Sequence, residues 1–207
     1  MREKIVDKGL LETSRSKRKV IKSVIRSQKV DLFCIQETKM QVMSEEVVRS
    51  LGPRRFLDWK ALNAMGTTGG VLICWDKRSL EMLGVEEGQF SISCRFKNVG
   101  DGVIWVFTGV YGPCSRKDRE CLWEEFRAIR GLWEEPWCLG GDFNSTLYQA
   151  ERSRSGRITS TMRRFAQIVD ELGLVDIPLQ GGSFTWSGGS IINRGPGWID
   201  SWCLPVG

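Results

Sequence analysis

The segment VDLFCIQET (30–38) is a short, almost uninterrupted apolar run that ends in a glutamine, a glutamate and a threonine. A run of this kind is typical of a β-strand buried on both faces. A second segment, PWCLGGDFN (136–144), has the same design, with apolar residues first and then Asp142 and Asn144. Strand ends open into clefts in layered folds, so the polar residues that end these two runs are candidates for a functional site.

The rest of the chain contains both strand and helix patterns. Apolar runs and alternation predict a strand at 69–75, a half-buried strand at 90–96, and a hairpin partner at 103–112. Apolar residues at helical spacing predict helices over 16–29, 117–133 and 160–172. Short strand-like pieces, SFTW and WIDSW, follow near the end. Locally paired strands with helices between them favour mixed α/β or α+β layering, and the absence of a linker pattern favours one domain.

The composition excludes several classes of protein. With 207 residues, 41% of them hydrophobic and 27% charged, the chain is neither collagen-like nor wholly disordered. Its longest apolar runs, such as 103–110, are too short to cross a bilayer, and its N-terminus has no apolar signal region. We therefore expect an intracellular protein, nuclear or cytoplasmic, that is not secreted and has no membrane partner.

The chain contains no histidine, which excludes Ser-His-Asp catalysis, Cys-His catalysis and His-ligated zinc within it. The seven cysteines include no CxxC pair, which argues against a thiolate zinc site. Most of the cysteines lie in apolar runs and are predicted to be small buried hydrophobic residues, as is typical of a reducing compartment.

The formal charge of +5 is concentrated at the N-terminus, where residues 1–29 hold ten lysines and arginines but three acids. A solvated helix face is the commoner meaning of such a charge run. The alternative is an arm that contacts phosphates.

Three carboxylates follow apolar runs, namely Glu37, Asp142 and Asp200. Converging oxygen ligands without histidine or clustered cysteine describe a site for a hard cation such as Mg²⁺, and Asn144 adds an amide that is compatible with an incoming anion. Structural alternatives stay open for each acid. Glu37 would then be a surface residue at a strand end, Asp142 a turn residue, and Asp200 an ion-pair partner of Arg194.

The ordered set DLFCIQETK, VYGP, GGDFN, SFTWSGG and a late Ile-Asp pair resembles the endonuclease/exonuclease/phosphatase superfamily. The resemblance is greatest to the endonuclease domain of plant non-LTR (LINE-type) retrotransposons and covers roughly residues 16–204. It implies two packed mixed β-sheets flanked by helices, a DNase-I-like fold, with the closing C-terminal strand missing. It divides the chain into a basic N-terminal segment, 1–15, with a degenerate first strand, and a superfamily domain, 16–207, that is incomplete at its C-terminus.

The resemblance also implies phosphodiester hydrolysis that depends on Mg²⁺ or Mn²⁺, with DNA as a weakly bound partner, no small-molecule cofactor, and a monomeric state. Glu37 would hold the metal, Tyr111 would touch the scissile phosphate, and Asp142 would position the attacking water. Asn144 would steady the phosphate, and Asp200 would correspond to the acid that orients a catalytic histidine. The DNA-contacting residues implied are Arg116, Thr185 and Trp186.

The chain departs from the family pattern in two places. The family opens with a strand whose asparagine helps to build the metal site, whereas the corresponding segment here, IVDKGLLETS (5–14), has no asparagine and offers only Asp7. The family closes with Ser-Asp-His, which this sequence lacks. We therefore expect a decayed endonuclease with activity near background. The alternatives are an active phosphoesterase that tolerates the losses, a non-catalytic nucleic-acid-binding module, and a fragment that does not fold.

Overall fold

The structure is a computed structural model, and it describes residues 3–6, 19, 21–23, 25, 30–51, 56–64, 69–145, 159–177 and 201–203. The strands are β1 (Glu3–Val6), β2 (Leu32–Gln36), β3 (Leu57–Leu62), β4 (Val71–Asp76), β5 (Leu80–Glu87), β6 (Ser91–Asn98), β7 (Ile104–Tyr111), β8 (Trp137–Asp142), β9 (Val175–Ile177) and β10 (Ser201–Cys203). The helices are α1 (Glu45–Leu51), α2 (Arg116–Leu132) and α3 (Ser160–Glu171), and residues 19, 21–23 and 25 are also helical.

The strands form two mixed sheets. The four-stranded sheet has the order β1-β2-β4-β3, and the six-stranded sheet has the order β5-β6-β7-β8-β10-β9. β1 pairs in parallel with β2, and β7 pairs in parallel with β8. The other pairings are antiparallel, including the β6–β7 hairpin that the alternating sequence predicts.

The two sheets pack face to face, and strand β2 shows why its sequence is continuously apolar. Leu32 and Cys34 point into the layer between the sheets, where they meet β6, β7 and β8 residues such as Phe107. Phe33 and Ile35 point to the opposite face, against α1 and the helical residues that include Ile21. A strand covered on both sides has no polar face, so its side chains need not alternate.

Helices α2 and α3 cover the outer face of the six-stranded sheet. Each has an N-cap hydroxyl, because Ser115 Oγ accepts from the Asp118 N–H and Thr159 Oγ1 accepts from the Met162 N–H. The two helices stack Trp123 on Phe165, with ring centroids 5.3 Å apart. The molecule is therefore a sandwich of two mixed sheets flanked by helices, which confirms the predicted fold class.

Some sequence predictions need correction. The strand at 90–96 is not half-buried, because Ser91 and Ser93 are as buried as the apolar residues between them. Ser91 Oγ donates to Glu125 of α2, and Ser93 Oγ shares a 2.7 Å hydrogen bond with Thr108 Oγ1. The covering helix and the neighbouring strand satisfy these hydroxyls, so the second face of the strand is also removed from water.

The sequence reading also left out strands β3, β5 and β9 and helix α1. The predicted strand SFTW lies outside the described residues. Of the described helices, none combines the length and the apolar character that crossing a bilayer requires.

Candidate active site

Glu37 lies immediately beyond the end of β2, at the edge where the two sheets meet. Its neighbours Gln36 and Thr38 are fully buried, whereas Glu37 itself is half-exposed. Its backbone has a φ of 50°, in the left-handed region that non-glycine residues seldom occupy. The Thr38 N–H donates to the Gly70 carbonyl at 3.1 Å and helps to hold this turn. Such strained residues cluster at functional sites, where the surrounding structure over-determines their position.

Tyr111 and Asp142 lie side by side at the ends of the parallel strands β7 and β8, as Cα partners in the ladder. The Tyr111 hydroxyl is 3.5 Å from Glu37 Oε1. Gly69 borders both groups, because a Cβ there would be 3.1 Å from Glu37 Cγ and from Tyr111 Cε1. The ends of β2, β7 and β8 therefore bring Glu37, Tyr111 and Asp142 to one place.

Asn144 is held in place by hydrogen bonds from its backbone to Asp142 and from its side chain to Gly112. Its N–H donates to Asp142 Oδ1 at 2.9 Å, and its Nδ2 donates to the Gly112 carbonyl at 2.5 Å. Its φ is 47°, which asparagine tolerates better than most residues. Asp142, the last residue of β8, and Asn144, which follows the strand, are thus joined directly by a hydrogen bond.

Gln36 belongs to the site, although the sequence analysis assigns it no role. Its side chain crosses between the sheets, with Nε2 donating to the Val110 carbonyl at 2.8 Å and to the Gly140 carbonyl at 3.4 Å. Its Oε1 accepts from the Asp142 N–H at 2.9 Å. An amide at the end of an apolar strand, directly before an acid, is the sequence signal for such a residue.

The helix α2 begins close to this site, four residues after Gly112. Its N-terminal residues Arg116 and Lys117 are exposed. Arg119 folds back, and its Nη1 donates to the Cys114 carbonyl at 2.8 Å. The predicted DNA-contacting residue Arg116 therefore presents a solvated cation on the side of the site formed by the 112–115 loop.

Two buried side-chain oxygens in the described part of the chain lack a hydrogen-bond partner, namely Thr38 Oγ1 and Ser145 Oγ. Each belongs to the residue that follows a candidate site residue, Glu37 or Asn144. Buried hydroxyls are normally paired, so this pattern marks a place where water or a ligand completes the bonding. No group of three or more acidic, cysteine or histidine side chains that could hold a metal is found in the residues described.

The remaining predicted site residues, Thr185, Trp186 and Asp200, lie outside the described residues, as does Asp7. The structure therefore brings together Glu37, Tyr111, Asp142 and Asn144 and does not describe the others. Arg116 lies four residues after Gly112, whose carbonyl accepts from Asn144.

The chain has the fold of several solved structures. An endonuclease/exonuclease/phosphatase family protein from Bacteroides thetaiotaomicron matches with a TM-score of 0.63 and 13% identity, over 97% of this chain and 82% of that one. The AP endonuclease LMAP from Leishmania major matches with a TM-score of 0.67 and 15% identity, over 96% and 78%. The endonuclease domain of TRAS1, a telomere-specific non-LTR retrotransposon, gives 0.63 and 14%, over 97% and 83%.

No protein-family model matches the sequence, and no curated protein matches it. At these identities the likeness to solved structures establishes the fold alone. The chain therefore has the DNase-I-like fold, and its structural neighbours include nucleases and a retrotransposon endonuclease.

Proposed function

We propose that this chain is a divalent-metal-dependent DNA phosphodiesterase domain, an endonuclease of retrotransposon origin, with strongly impaired turnover. The observation that carries the proposal is the convergence of Glu37, Tyr111, Asp142 and Asn144 at the adjoining ends of β2, β7 and β8. These residues come from three separate parts of the chain. They combine two carboxylates, a phenol and an amide, which is a set of groups suited to a cation and a phosphate rather than to a hydrophobic ligand.

The residues present fit a hard divalent cation. Glu37 and Asp142 are only partly buried, and Mg²⁺ typically takes one or two carboxylates while keeping water and phosphate oxygens as its other ligands. The unpartnered hydroxyls of Thr38 and Ser145 also fit a site that is completed by water or ligand. We propose Glu37 as the main ligand for Mg²⁺ or Mn²⁺, which when bound would neutralise charge on the phosphate and polarise it.

The other side chains are assigned roles by their positions. Asp142 accepts the Asn144 N–H through Oδ1, which holds its carboxylate in place to orient an attacking water. Tyr111 presents a hydroxyl, and Asn144 an amide, both neutral groups that approach a phosphate without repulsion. Arg116, exposed at the start of α2, would contact a DNA phosphate.

Turnover is impaired because this 207-residue chain contains no histidine to act as general acid or base. The loss of such a group typically lowers the rate by about 10²–10⁴-fold. The family-like roles of Thr185 and Trp186 along the DNA, and of Asp200, rest on the sequence resemblance and belong to the same proposal.

The same proposal covers the setting of the domain. The resemblance favours a plant LINE-type element, with residues 1–15 as a basic N-terminal segment that contains a degenerate first strand and residues 16–207 as the superfamily domain. We propose an intracellular, nuclear or cytoplasmic monomer. Within residues 1–15, the structure describes β1, which pairs with β2.

A metal-binding and nicking experiment tests the proposal. Mn²⁺ binding is measured by electron paramagnetic resonance, and nicking of supercoiled plasmid is followed with Mg²⁺ or Mn²⁺. Glu37→Gln is compared with Glu81→Gln, which makes the same change on an exposed residue of the edge strand β5. We expect the wild-type protein to bind Mn²⁺ and to nick the plasmid only slightly. Glu37→Gln should weaken Mn²⁺ binding at least tenfold, whereas Glu81→Gln should leave it unchanged.

Nicking that Glu37→Gln abolishes would retain the function but remove the claim of impairment. Mn²⁺ binding that is absent, or unchanged in Glu37→Gln, would overturn the proposed function.

DNA binding is tested separately by its dependence on salt. Removing a cation that contacts a phosphate reduces the steepness of log affinity against log salt concentration by about one. We expect this loss in Arg116→Ala, and an unchanged slope would remove Arg116 from the DNA-binding surface.

A phosphomonoester is the second candidate substrate, because a mannosyl-6-phosphatase from Bacteroides thetaiotaomicron also shares the fold with a TM-score of 0.63. Release of inorganic phosphate from a sugar phosphate, lost in Glu37→Gln, would favour that substrate over DNA.

A further inference from the structure

We propose that Gln36 is a positioning residue that sets Glu37 and Asp142 relative to each other across the interface between the two sheets. This inference rests on the proposed function, because it assigns to Gln36 the task of holding the proposed metal ligand Glu37 in place relative to Asp142, which orients the attacking water. Gln36 itself is fully buried and is not a metal ligand in this proposal.

The geometry of the Gln36 amide carries the inference. One amide group makes hydrogen bonds to three backbone groups of the other sheet: the Val110 carbonyl, the Gly140 carbonyl and the Asp142 N–H. The amide therefore uses both its donor, at 2.8 Å from the Val110 oxygen, and its acceptor, at 2.9 Å from the Asp142 nitrogen. The bonds to Val110 and Asp142 reach residues 74 and 106 positions away in the sequence.

The hydrogen bonds of the Gln36 side chain form a bridge between the two sheets, and this bridge links the backbone beside Glu37 to the backbone of Asp142. Gln36 directly precedes Glu37, and Oε1 of Gln36 holds the backbone of Asp142 itself. The Thr38 N–H is bonded to Gly70, within the same sheet as β2, so it does not fix Glu37 relative to β8. A second contact between the sheets at this point, from the Tyr111 hydroxyl to Glu37 Oε1, is longer, at 3.5 Å.

The chemistry of the bridge requires an amide. A glutamate of the same shape would keep the acceptor for the Asp142 N–H but would place a carboxylate oxygen against two carbonyl oxygens. A methionine of similar volume would make none of these three hydrogen bonds, in a buried place where each is costly to lose. Residues that orient metal ligands typically alter metal affinity about 10–100-fold when replaced.

The test compares Gln36→Glu and Gln36→Met with Ser93→Ala. Ser93 is also fully buried and also makes a buried hydrogen bond, to Thr108 of the neighbouring strand, but it contacts none of the candidate site residues through that bond. Ser93→Ala therefore matches the loss of a buried polar contact without disturbing the bridge. Mn²⁺ affinity, hydrogen exchange of the Asp142 amide, and thermal unfolding without metal are measured on each folded variant.

We expect Mn²⁺ affinity to fall about 10–100-fold in both Gln36 variants, and the Asp142 amide to exchange at least tenfold faster. Ser93→Ala should lower the unfolding temperature while changing Mn²⁺ affinity less than twofold. Should one Gln36 variant fail to fold, the other carries the same comparison.

The possible failures are distinguishable. Wild-type protein without Glu37-dependent Mn²⁺ binding would overturn the proposed function. Wild-type binding that persists unchanged in a folded Gln36 variant would overturn only the positioning role. Equal losses of affinity in Ser93→Ala and the Gln36 variants would also overturn it, since stability alone would then account for the effect.

Discussion

Gly141 offers a sharp test of the close packing of β7, β8 and Gln36 beside the candidate site. It lies in β8 between Gly140 and Asp142, with a φ of 157°. A Cβ at this position would be 2.1 Å from the Val110 carbonyl oxygen and 2.3 Å from Gln36 Nε2, whereas ordinary contacts begin at 3.4 Å. The first of these atoms is backbone in the paired strand β7, so it cannot move without disturbing the sheet.

The expected cost of Gly141→Ala follows from these contacts. Overpacking a well-filled interior typically costs about 1–3 kcal/mol. Displacing Gln36 from Val110 removes a buried hydrogen bond, which is worth about 0.5–1.5 kcal/mol net. We therefore expect the free energy of unfolding to fall by about 2–4 kcal/mol. For a chain of this size, that corresponds to a loss of roughly 4–16 °C in unfolding temperature.

Gly131→Ala is the matched control. Gly131 is exposed in the last turn of α2, and a Cβ there would meet nothing within 4 Å. Alanine favours a helix over glycine by about 0.5–1 kcal/mol, so this variant should be slightly more stable than wild type. Urea unfolding, followed by circular dichroism, measures both variants. A Gly141→Ala protein within about 0.5 kcal/mol of wild type, an ordinary surface effect, would refute the close approach.

Three further predictions concern the core and the thiols. Phe126→Ala should lower the free energy of unfolding by about 3–5 kcal/mol, because the buried Phe126 ring packs against Trp137 and Phe143. Urea titration measures this loss, and a loss below about 1 kcal/mol would contradict the packing. Iodoacetamide should alkylate the native protein at the exposed thiols Cys114 and Cys121. Peptide mass spectrometry should find the buried thiols Cys34, Cys74 and Cys94 protected. Rapid labelling of these three would contradict their burial. Burial raises the pKa of all three buried thiols, and raises that of Cys94 to about 12. The stability that these neutral thiols contribute is therefore fully present below the ordinary thiol pKa of about 8.5. It is lost as the pH rises from there through the raised pKa values, because the thiols ionise more readily in the unfolded chain. Between about pH 9 and 11, the stability of Cys94→Val should therefore fall less steeply with pH than that of wild type, by roughly 1 kcal/mol per pH unit. Parallel curves would contradict the raised pKa of Cys94.

The elements that were predicted correctly are those whose burial pattern is local. Leu32–Gln36 is apolar throughout because both of its faces are covered, and the stripe of Leu122, Trp123, Phe126 and Ile129 marks the buried face of α2. The hairpin is equally local, since a turn rich in glycine separates two runs of strand-forming residues.

The elements that were missed lack such a pattern. Leu57–Leu62 is an edge strand in which every residue is half-buried, so neither alternation nor a continuous apolar run marks it. Leu80–Glu87 is also an edge strand, and its register shifts between Met82 and Gly84, which interrupts alternation. Glu45–Leu51 has seven residues, too few to establish a helical period.

The positions of Glu37, Asp142 and Asn144 at or just beyond the ends of buried strands follow from the sequence, because an apolar run and the polar residues after it form a local pattern. That these residues share one site follows only from the packed structure. Their approach depends on the packing of one sheet against the other, and the bond from Asp142 to Gln36 joins residues 106 positions apart. Local periodicity does not reveal which residues far apart in the sequence will meet in space, because side chains from both sheets together set how the sheets pack.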